Sequence, residues 1–545
     1  MDYHYYEFAA LLLASTLVGM LAVRLKQPLI VAFILVGIVV GPSFLDMLSG
    51  DQHISLLAEV GVTILLFVVG LKLDMHLVRH LGMVALATGL GQLTFTIVLG
   101  FAIGLGLGFG WVSALYIAVA LTFSSTIIIV KLLSDKKEID SLHGRIAMGF
   151  LIVQDIAVVL AMMVVGSLSV SAGMEVEQTG LLVLAILGKL MAALAIVVLM
   201  MRFVLPRLME LLARSQELML IFAIAWGTSA AALGDMVGFS KEVGAFLAGF
   251  SLASTSYREV INARLASVRD FLLLFFFIHL GSQLEFASLG EELGAATIFS
   301  LFVLIGNPLV VMAIMGYMGY RRRTGFLAGL TVAQISEFSI IFVAMGIALG
   351  HIGGNILGLI TLVGIITITL STYMILYSHT LYEKLSPWLG PFERINPFRE
   401  AQQVESGAIL PPVLVFGLGR YGGRLVERFH ESGVEVLALD FDPELVRLYR
   451  RRGIRAGYGD MESHEFIEHL ELQGVKWLIS TVPDVNLNLA LVKLLKDAGF
   501  AGELAVTVHH EHDGELLAQA GVRHVLSPYQ DAADYMAERV KDALK

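Results

Sequence analysis

The chain has 545 residues, of which 57% are hydrophobic and only 15% charged, a balance too apolar for a soluble globular protein and typical of many membrane spans. It contains no cysteine, which excludes disulfides and thiolate metal sites, and its net charge of −10 gives no support for binding nucleic acid.

Long apolar runs fill residues 1–380. A span needs about 20 apolar residues to cross the hydrocarbon core. By that measure thirteen are predicted: 7–24, 28–48, 54–71, 81–108, 111–133, 145–168, 180–204, 217–235, 239–256, 268–285, 294–319, 324–349 and 353–378. No basic segment or small-residue cleavage site precedes or ends the first run, so it reads as a retained span. Basic residues follow every odd-numbered span: Arg24 and Lys26, Lys72 and Arg79, Lys131 to Arg145, Arg202 to Arg214, Arg258 to Arg269, and Arg321 to Arg323. The even-numbered loops carry almost none, Lys241 excepted. By the positive-inside rule the N-terminus is outside and the C-terminal region cytoplasmic.

Residues 381–410, proline-containing and of mixed charge, form a linker. In residues 411–545 short apolar runs alternate with amphipathic stretches: Val413–Phe416, Val434–Leu439, Trp477–Thr481, Leu504–Val508 and His524–Leu526. Strands separated by helix-length segments predict a parallel, doubly wound, Rossmann-like α/β sheet.

An ionisable residue at mid-membrane costs about 2.5–3.5 kcal/mol on insertion scales, so it needs a reason to be there. Asp155, beside Gln154, lies mid-way along the sixth span, and Glu337 lies equally deep in the twelfth, in Gln334-Ile-Ser-Glu337. The fifth span carries Thr122, Ser124, Ser125 and Thr126 at the same depth. A single hydroxyl there is ordinary helix packing; four within five residues beside a carboxylate form a polar cluster. Glu337 also fits a structural part, holding a broken helix together. The fifth and twelfth spans run in opposite directions, and paired polar interruptions in such spans predict inverted repeats with crossed, discontinuous helices. Lys189, Glu59, His279, Glu242 and Lys241 suit packing or interfacial positions at least as well as function.

Leu57-Ala-Glu-Val-Gly-Val-Thr-Ile-Leu-Leu-Phe-Val-Val-Gly-Leu71, Leu121-Thr-Phe-Ser-Ser-Thr126, Gln154-Asp155, Gly244-Ala-Phe-Leu-Ala-Gly249 and Gln334-Ile-Ser-Glu337 resemble the monovalent cation:proton antiporter-2 superfamily. The Gln-Asp pair and the C-terminal region look most like Kef-type potassium/proton antiporters. The resemblance implies a homodimer in the cell inner membrane with an elevator-like exchange. Its ion-binding carboxylate maps onto Asp155, with Gln154 beside it and Thr122 to Thr126 lining the site. The acidic motif of glutathione-controlled members is not evident in Tyr257–Ser267. Electrogenic relatives place a lysine before the second crossed helix, where this chain aligns Asn307 followed by Pro308.

Burial disfavours the charged carboxylate, so a proton and a dehydrated cation compete for one negative site. With no buried basic partner for Asp155, the expectation is electroneutral exchange of one monovalent cation, potassium first and sodium as the alternative, for one proton. Gly417-Leu-Gly419-Arg420-Tyr421-Gly422 follows a strand and opens a helix, and Asp440 ends the next strand 18 residues on. The glycines admit phosphates at the helix N-terminus, and Asp440 suits ribose hydroxyls, favouring NAD(H) or an AMP-like adenosine nucleotide. Asp460 and Thr481 end the following strands and rim the pocket. This pattern resembles the RCK N-terminal (KTN) domains, which implies that the nucleotide is a regulatory or structural ligand. A nucleotide-gated potassium channel would need a TVGYG-type filter, and a membrane NAD oxidoreductase, the enzyme reading, a second redox centre; the sequence contains neither.

Overall fold

The computed structural model describes residues 3–42, 44–45, 52–72, 83–136, 138–139, 141–168, 195, 197, 199–212, 215–237, 240–283, 286–394, 410–459, 461, 472–508 and 511–544. They form two compact units, the first comprising Met1–Met318 and Arg322–Phe392, the second the remaining residues.

In the first unit α1 (Tyr3–Arg24), α2 (Leu29–Val40), α3 (Gln52–Lys72) and α4 (Met83–Gly106) occupy the first four predicted spans. The fifth is two helices, α5 (Trp111–Ala120) and α6 (Thr126–Asp135), with an irregular stretch at 121–125 between them. The sixth is α7 (Leu142–Leu168). Most of the seventh, 180–204, lies outside the described residues, and Lys189 with it; a π-turn at Met200–Val204 leads into α8 (Leu205–Leu212). Next come α9 (Gln216–Val237), α10 (Lys241–Leu252) and α11 (Arg258–Ser282), then α12 (Phe286–Leu301) and α13 (Asn307–Tyr317) joined by a π-turn at Phe302–Gly306. The twelfth span is again broken, into α14 (Arg322–Leu330) and α15 (Glu337–Ala348), while α16 (Asn355–Leu376) is continuous and short α17 (Ser378–Leu385) follows it.

Eight of the described helical segments are long and apolar enough to cross a membrane. The second and ninth predicted spans are 12-residue helices, and the fifth and twelfth are the two broken ones. The polar clusters in those last two mark the breaks: Ser125 and Ser336 accept hydrogen bonds from Ile128 N and Phe338 N as N-caps of α6 and α15. The π-turn before Asn307 has an equally local cause, because Pro308 lacks an N–H and its ring clashes with the preceding turn. One boundary differs from expectation. Helix α11 begins ten residues before the predicted tenth span, so Arg258, Arg264 and Arg269 lie on its first turns and not in a loop. Buried Ile261, Leu265 and Leu272 continue the apolar stripe through that charged stretch, and the arginine stems can lie along it.

The helices approach closely where glycines face them. A Cβ on Gly249 of α10 would overlap the Phe67 carbonyl of α3, and one on Gly70 would overlap the Phe246 carbonyl. Around this contact lie buried Phe67, Val68, Leu71, Ala248, Leu252, Leu265 and Phe275.

The loop between α6 and α7 is anchored by Glu138. Its carboxylate meets Lys136 Nζ at 2.9 Å, His143 Nε2 at 3.2 Å and His379 Nε2 of α17 at 2.8 Å, while Lys136 also donates to Ser378 Oγ. Burial alone would raise its pKa; hydrogen bonds from His143, His379 and Lys136, together with the lysine charge, outweigh it and hold the carboxyl well below the usual range.

The second unit is a six-stranded, all-parallel sheet with β1 (Val413–Phe416), β2 (Val436–Asp440), β3 (Ala456–Tyr458), β4 (Trp477–Ser480), β5 (Glu503–Thr507) and β6 (His524–Leu526). Their order, β3-β2-β1-β4-β5-β6, is that of a doubly wound dinucleotide fold, with its switch point between β1 and β4. Strands β1 and β2 are buried along their whole length, as parallel strands covered on both faces must be. The connecting helices include α18 (Arg420–Glu431) after β1, and α22 (Pro528–Ala543) ends the unit after α19 (Pro443–Arg451), α20 (Val485–Asp497) and α21 (Glu511–Gln519).

Alanine outranks glycine in helix propensity by about 1 kcal/mol, whereas overpacking a close contact costs about 1–3 kcal/mol. Gly249→Ala should therefore lower the melting temperature of the detergent-purified protein; an increase would show that the α3–α10 contact is loose. Glu138→Gln should lower it too, and the effect should depend on pH. A carboxyl with a depressed pKa contributes stability above its ordinary value of 4.5 and loses it as pH falls towards the folded value, so the gap from wild type should be full at neutral pH and close in acid.

Candidate functional site

The two broken spans cross in the first unit, and their breaks are joined backbone to backbone: Ser336 N donates to Phe123 O at 2.8 Å. Asn307 binds both, its amide nitrogen donating to Leu121 O at 3.5 Å and Val332 O at 3.4 Å. Ile335 N donates to Thr367 Oγ1 of α16 at 3.3 Å. These bonds satisfy five of the backbone groups at the breaks without water or lipid. Two half-helices, α6 and α15, begin at the crossing, bringing the positive ends of their dipoles to it.

Asp155 of α7 sits at the start of α6. Thr126 Oγ1, in the first helical residue, lies 3.2 and 3.0 Å from its two carboxylate oxygens. Both residues keep partial exposure, whereas Gln154, Thr122, Ser124 and Ser125 are buried. Among the described residues no lysine or arginine forms an ion pair with Asp155; Lys72 at the end of α3 and Glu337 act on it electrostatically from further away. Glu337 is 2% exposed, opens α15 and accepts from Ser336 Oγ at 3.2 Å.

The hydroxyls of the fifth span have separate tasks. Thr122 bonds back to Val119 O at 2.6 Å, Ser125 caps α6, Thr126 reaches Asp155, and Ser124 Oγ is buried with no hydrogen-bond partner. Gln334 accepts from Ser371 Oγ at 2.8 Å while its Nε2 is unpartnered. Gln154 turns away from Asp155: its Oε1 accepts from Ser124 N at 3.0 Å and its Nε2 donates to Gln92 Oε1 at 2.8 Å. Gln92 and Thr96 of α4, fully buried, were not singled out from the sequence, although their i, i+4 spacing puts two polar groups on one helix face. Asn307 is a member of this hydrogen-bonded group, and among the described residues no hydrogen bond joins it to Asp155; Thr96 Oγ1 donates to its Oδ1 at 2.7 Å.

The interfacial candidates gather elsewhere. Glu59 pairs with Lys241 at 2.9 Å, both half-exposed, and with Asp235, Glu242 and His279 they line a cavity of about 660 Å³ between α3, α9, α10, α11 and α15. An exposed pair of this kind is worth at most about 1 kcal/mol.

In the second unit Gly417 has φ of +96°, open to glycine and strained for other residues. Gly419 precedes α18 with no side-chain cap, leaving the first N–H groups of that helix, from Arg420 to Gly422, without an intrahelical acceptor. A Cβ on Gly422 would overlap the Gly417 carbonyl and the Thr481 hydroxyl. Thr481 Oγ1 donates to Phe416 O at 2.9 Å and Gly417 O at 3.1 Å, tying the end of β4 to the glycine turn. Asp440 is 5% exposed and braces the same turn, accepting from Leu418 N at 2.5 Å and Asp442 N at 2.7 Å. Burial, with Asp531 adding to it, pushes the Tyr421 phenol above its ordinary value, so it stays a protonated donor at neutral pH. Asp460 lies outside the described residues.

The family model for the transmembrane sodium/hydrogen exchanger matches residues 10–376, and that for the TrkA-N domain matches residues 413–528. The chain is 26% identical over 541 residues to the putative cation/proton antiporter YbaL of Escherichia coli, covering 97% of this chain and 95% of that protein. It is 31% identical over 384 residues to the iron transporter MagA of Paramagnetospirillum magneticum, covering 68% and 86% respectively. Over 490 residues it is 29% identical to the glutathione-regulated potassium-efflux system protein KefC of Klebsiella pneumoniae, covering 89% and 76%.

A bundle with two crossed broken helices, joined in one chain to a parallel nucleotide fold, is thus a membrane cation/proton antiporter, and the chain belongs to the sodium/hydrogen exchanger family. It is of the Kef type within the monovalent cation:proton antiporter-2 superfamily, and its C-terminal module is a TrkA-N domain.

Proposed function

We propose that the protein exchanges one potassium ion for one proton at Asp155, electroneutrally, and that NAD(H) or an adenosine nucleotide on the TrkA-N domain regulates the exchange. The observation that carries this reading is a mid-span carboxylate that accepts from the Thr126 hydroxyl at the N-terminus of a broken helix and, among the described residues, has no ion-paired lysine or arginine.

Ionised, Asp155 attracts a cation, and the positive end of α6 lowers the cost of its charge. Oxygens around the crossing replace part of the cation's hydration shell; Thr126 Oγ1, which reaches Asp155, and the unpartnered Ser124 Oγ of the same break are side-chain oxygens suited to this. Protonated, Asp155 has no use for the cation. If only the neutralised carboxylate, with either occupant, passes the apolar barrier, exchange is obligatory and each cycle moves no net charge. Gln154, Gln334, Glu337 and Asn307 shape the crossing around this event. Potassium is favoured because the related KefC is named a potassium-efflux system protein; sodium is the second cation to be tested. The chain works as a homodimer in the inner membrane with its N-terminus outside, an orientation supported by the basic residues that follow the odd-numbered spans.

In the TrkA-N domain the glycine turn and the free N–H groups of α18 suit a phosphate, and Asp440 at the end of β2 suits a ribose hydroxyl. Residues 1–380 make up the exchanger, 381–410 the linker and 411–545 the nucleotide domain.

Full-length protein reconstituted into vesicles should dissipate a proton gradient when potassium is added, at a rate unchanged by an imposed membrane potential. Asp155→Asn should reduce this to the rate of empty vesicles for potassium and sodium alike. Transport that scales with voltage would contradict the one-for-one stoichiometry, and residual exchange in the variant would remove Asp155 from the mechanism. A ligand present at 100 times its dissociation constant stabilises by about 2.7 kcal/mol. NADH or AMP should accordingly raise the melting temperature of the full-length protein, and Gly422→Ala should abolish the rise; a rise of equal size in the variant would place the nucleotide elsewhere.

A further inference from the structure

We propose that Gln92 is a positioning residue for the exchange: it sets the geometry of the Asp155–Thr126 pair through Gln154 without touching the transported ion. The proposal rests on Asp155 being the exchanging carboxylate.

The basis is a buried chain of hydrogen bonds with a determined direction. It starts at Ser124 N, which donates to Gln154 Oε1 at 3.0 Å. Gln154 Nε2 donates to Gln92 Oε1 at 2.8 Å, and Gln92 Nε2 donates to Thr96 Oγ1 at 3.0 Å and Thr122 O at 3.4 Å. Thr96 Oγ1 then donates to Asn307 Oδ1 at 2.7 Å, and Asn307 Nδ2 donates to Leu121 O and Val332 O. The oxygen and nitrogen of an amide have nearly the same shape, so their placement follows from the partners. Here both ends are backbone groups with no choice: Ser124 N can only donate, and the Leu121 and Val332 carbonyls can only accept. Those ends force Gln154 to present its NH₂ to Gln92, Gln92 to present its own to Thr96, and Asn307 to present its own to the two breaks. Turning the Gln92 amide over would set NH₂ against NH₂ on one side and leave Thr122 O facing an oxygen on the other.

Gln92 is the middle member, and it joins α4 to α7 and to the first break. Gln92, Thr96, Gln154 and Asn307 are each 0–1% exposed, so no bulk water can replace a lost partner. A buried amide group left unpaired costs about 1–3 kcal/mol. Gln154 precedes Asp155 in the chain, and the Ser124 it binds lies two residues before Thr126. The Gln154–Ser124 bond, held from behind by Gln92, therefore fixes how far Thr126 stands from Asp155. Of the titratable groups on the helices packed against α4, namely Tyr116, His143, Arg145, Asp155 and Tyr317, Asp155 is the one adjacent in sequence to a member of the chain.

The test uses the full-length protein in vesicles and two substitutions. Protonated glutamic acid keeps a carbonyl to accept from Gln154 and a hydroxyl to donate to Thr96, giving up only the longer bond to Thr122 O; ionised glutamate has no donor. For Gln92→Glu the ratio of its exchange rate to wild type should be near one at mildly acid pH and fall by about tenfold at alkaline pH, the equivalent of one lost buried hydrogen bond. Gln92→Leu should show a raised apparent KM for potassium at every pH, with no acid recovery. A side chain that only fills space would give a flat ratio for Gln92→Glu, and that result, or a wild-type KM in Gln92→Leu, overturns the proposal. Should Gln92→Leu fail to reach the membrane, the pH ratio of Gln92→Glu, taken within one preparation, decides alone. Asp155→Asn is assayed alongside: if it still exchanges, the reading of Asp155 fails, whereas an inactive Asp155→Asn with a flat Gln92→Glu ratio removes Gln92 only.

Discussion

Inside a bilayer no water is available to a backbone group that has left its helix, so each must find a partner within the protein. The first unit depends on meeting that demand at one place. Two spans are unwound where they cross; Ser336 N binds Phe123 O directly, Asn307 bridges the two breaks, and Gln154 and Thr367 each accept from an amide of one of them. Satisfying the crossing leaves two helix N-termini aimed into the apolar interior. A carboxylate can be held there at tolerable cost, and Asp155 and Glu337 are the two found there.

Charge elsewhere in the chain obeys the same economy of solvation. Glu59 and Lys241 pair in a water-accessible cavity, where the interaction is weak and the residues inexpensive. Glu138 collects a lysine and two histidines in the loop that joins α6 to α7, a charge buried only because it is fully partnered. Asp155 has neither device. Its carboxyl group is met by one hydroxyl, that of Thr126, at the start of a helix. In the second unit Asp440 is held by two backbone amides and thereby fixes the glycine turn at the switch point of the sheet.

Much of this was legible in the sequence, because polar residues in an apolar run are conspicuous. The positions of Thr122 to Thr126 and of Gln334 to Glu337 marked both helix breaks, and a strand, a glycine fingerprint and an acid at the end of the next strand marked the nucleotide fold. What each hydroxyl does was not legible, since that depends on rotamers: Ser125 and Thr126 are adjacent, yet one caps a helix and the other reaches across to α7. Gln92 passed unnoticed because one amide and three threonines in a 24-residue helix read as packing until the partners of Gln92 and Thr96 on α7 and α13 are in place. Asn307 was identified by its alignment with a lysine of electrogenic relatives, whereas its position in the fold is that of a brace between the two breaks. The start of α11 was missed because its arginines suggested a loop, although a buried stripe of Ile261, Leu265 and Leu272 runs beneath them.

The central claim is that a proton and a monovalent cation exclude each other from one carboxylate. Calorimetric titration of the purified protein with potassium, repeated in buffers of different ionisation enthalpy, counts the protons released for each ion bound. At pH values where the free carboxyl is protonated, the account predicts one proton released per cation, falling to none where it is already ionised. Potassium binding that releases no proton at any pH would contradict it.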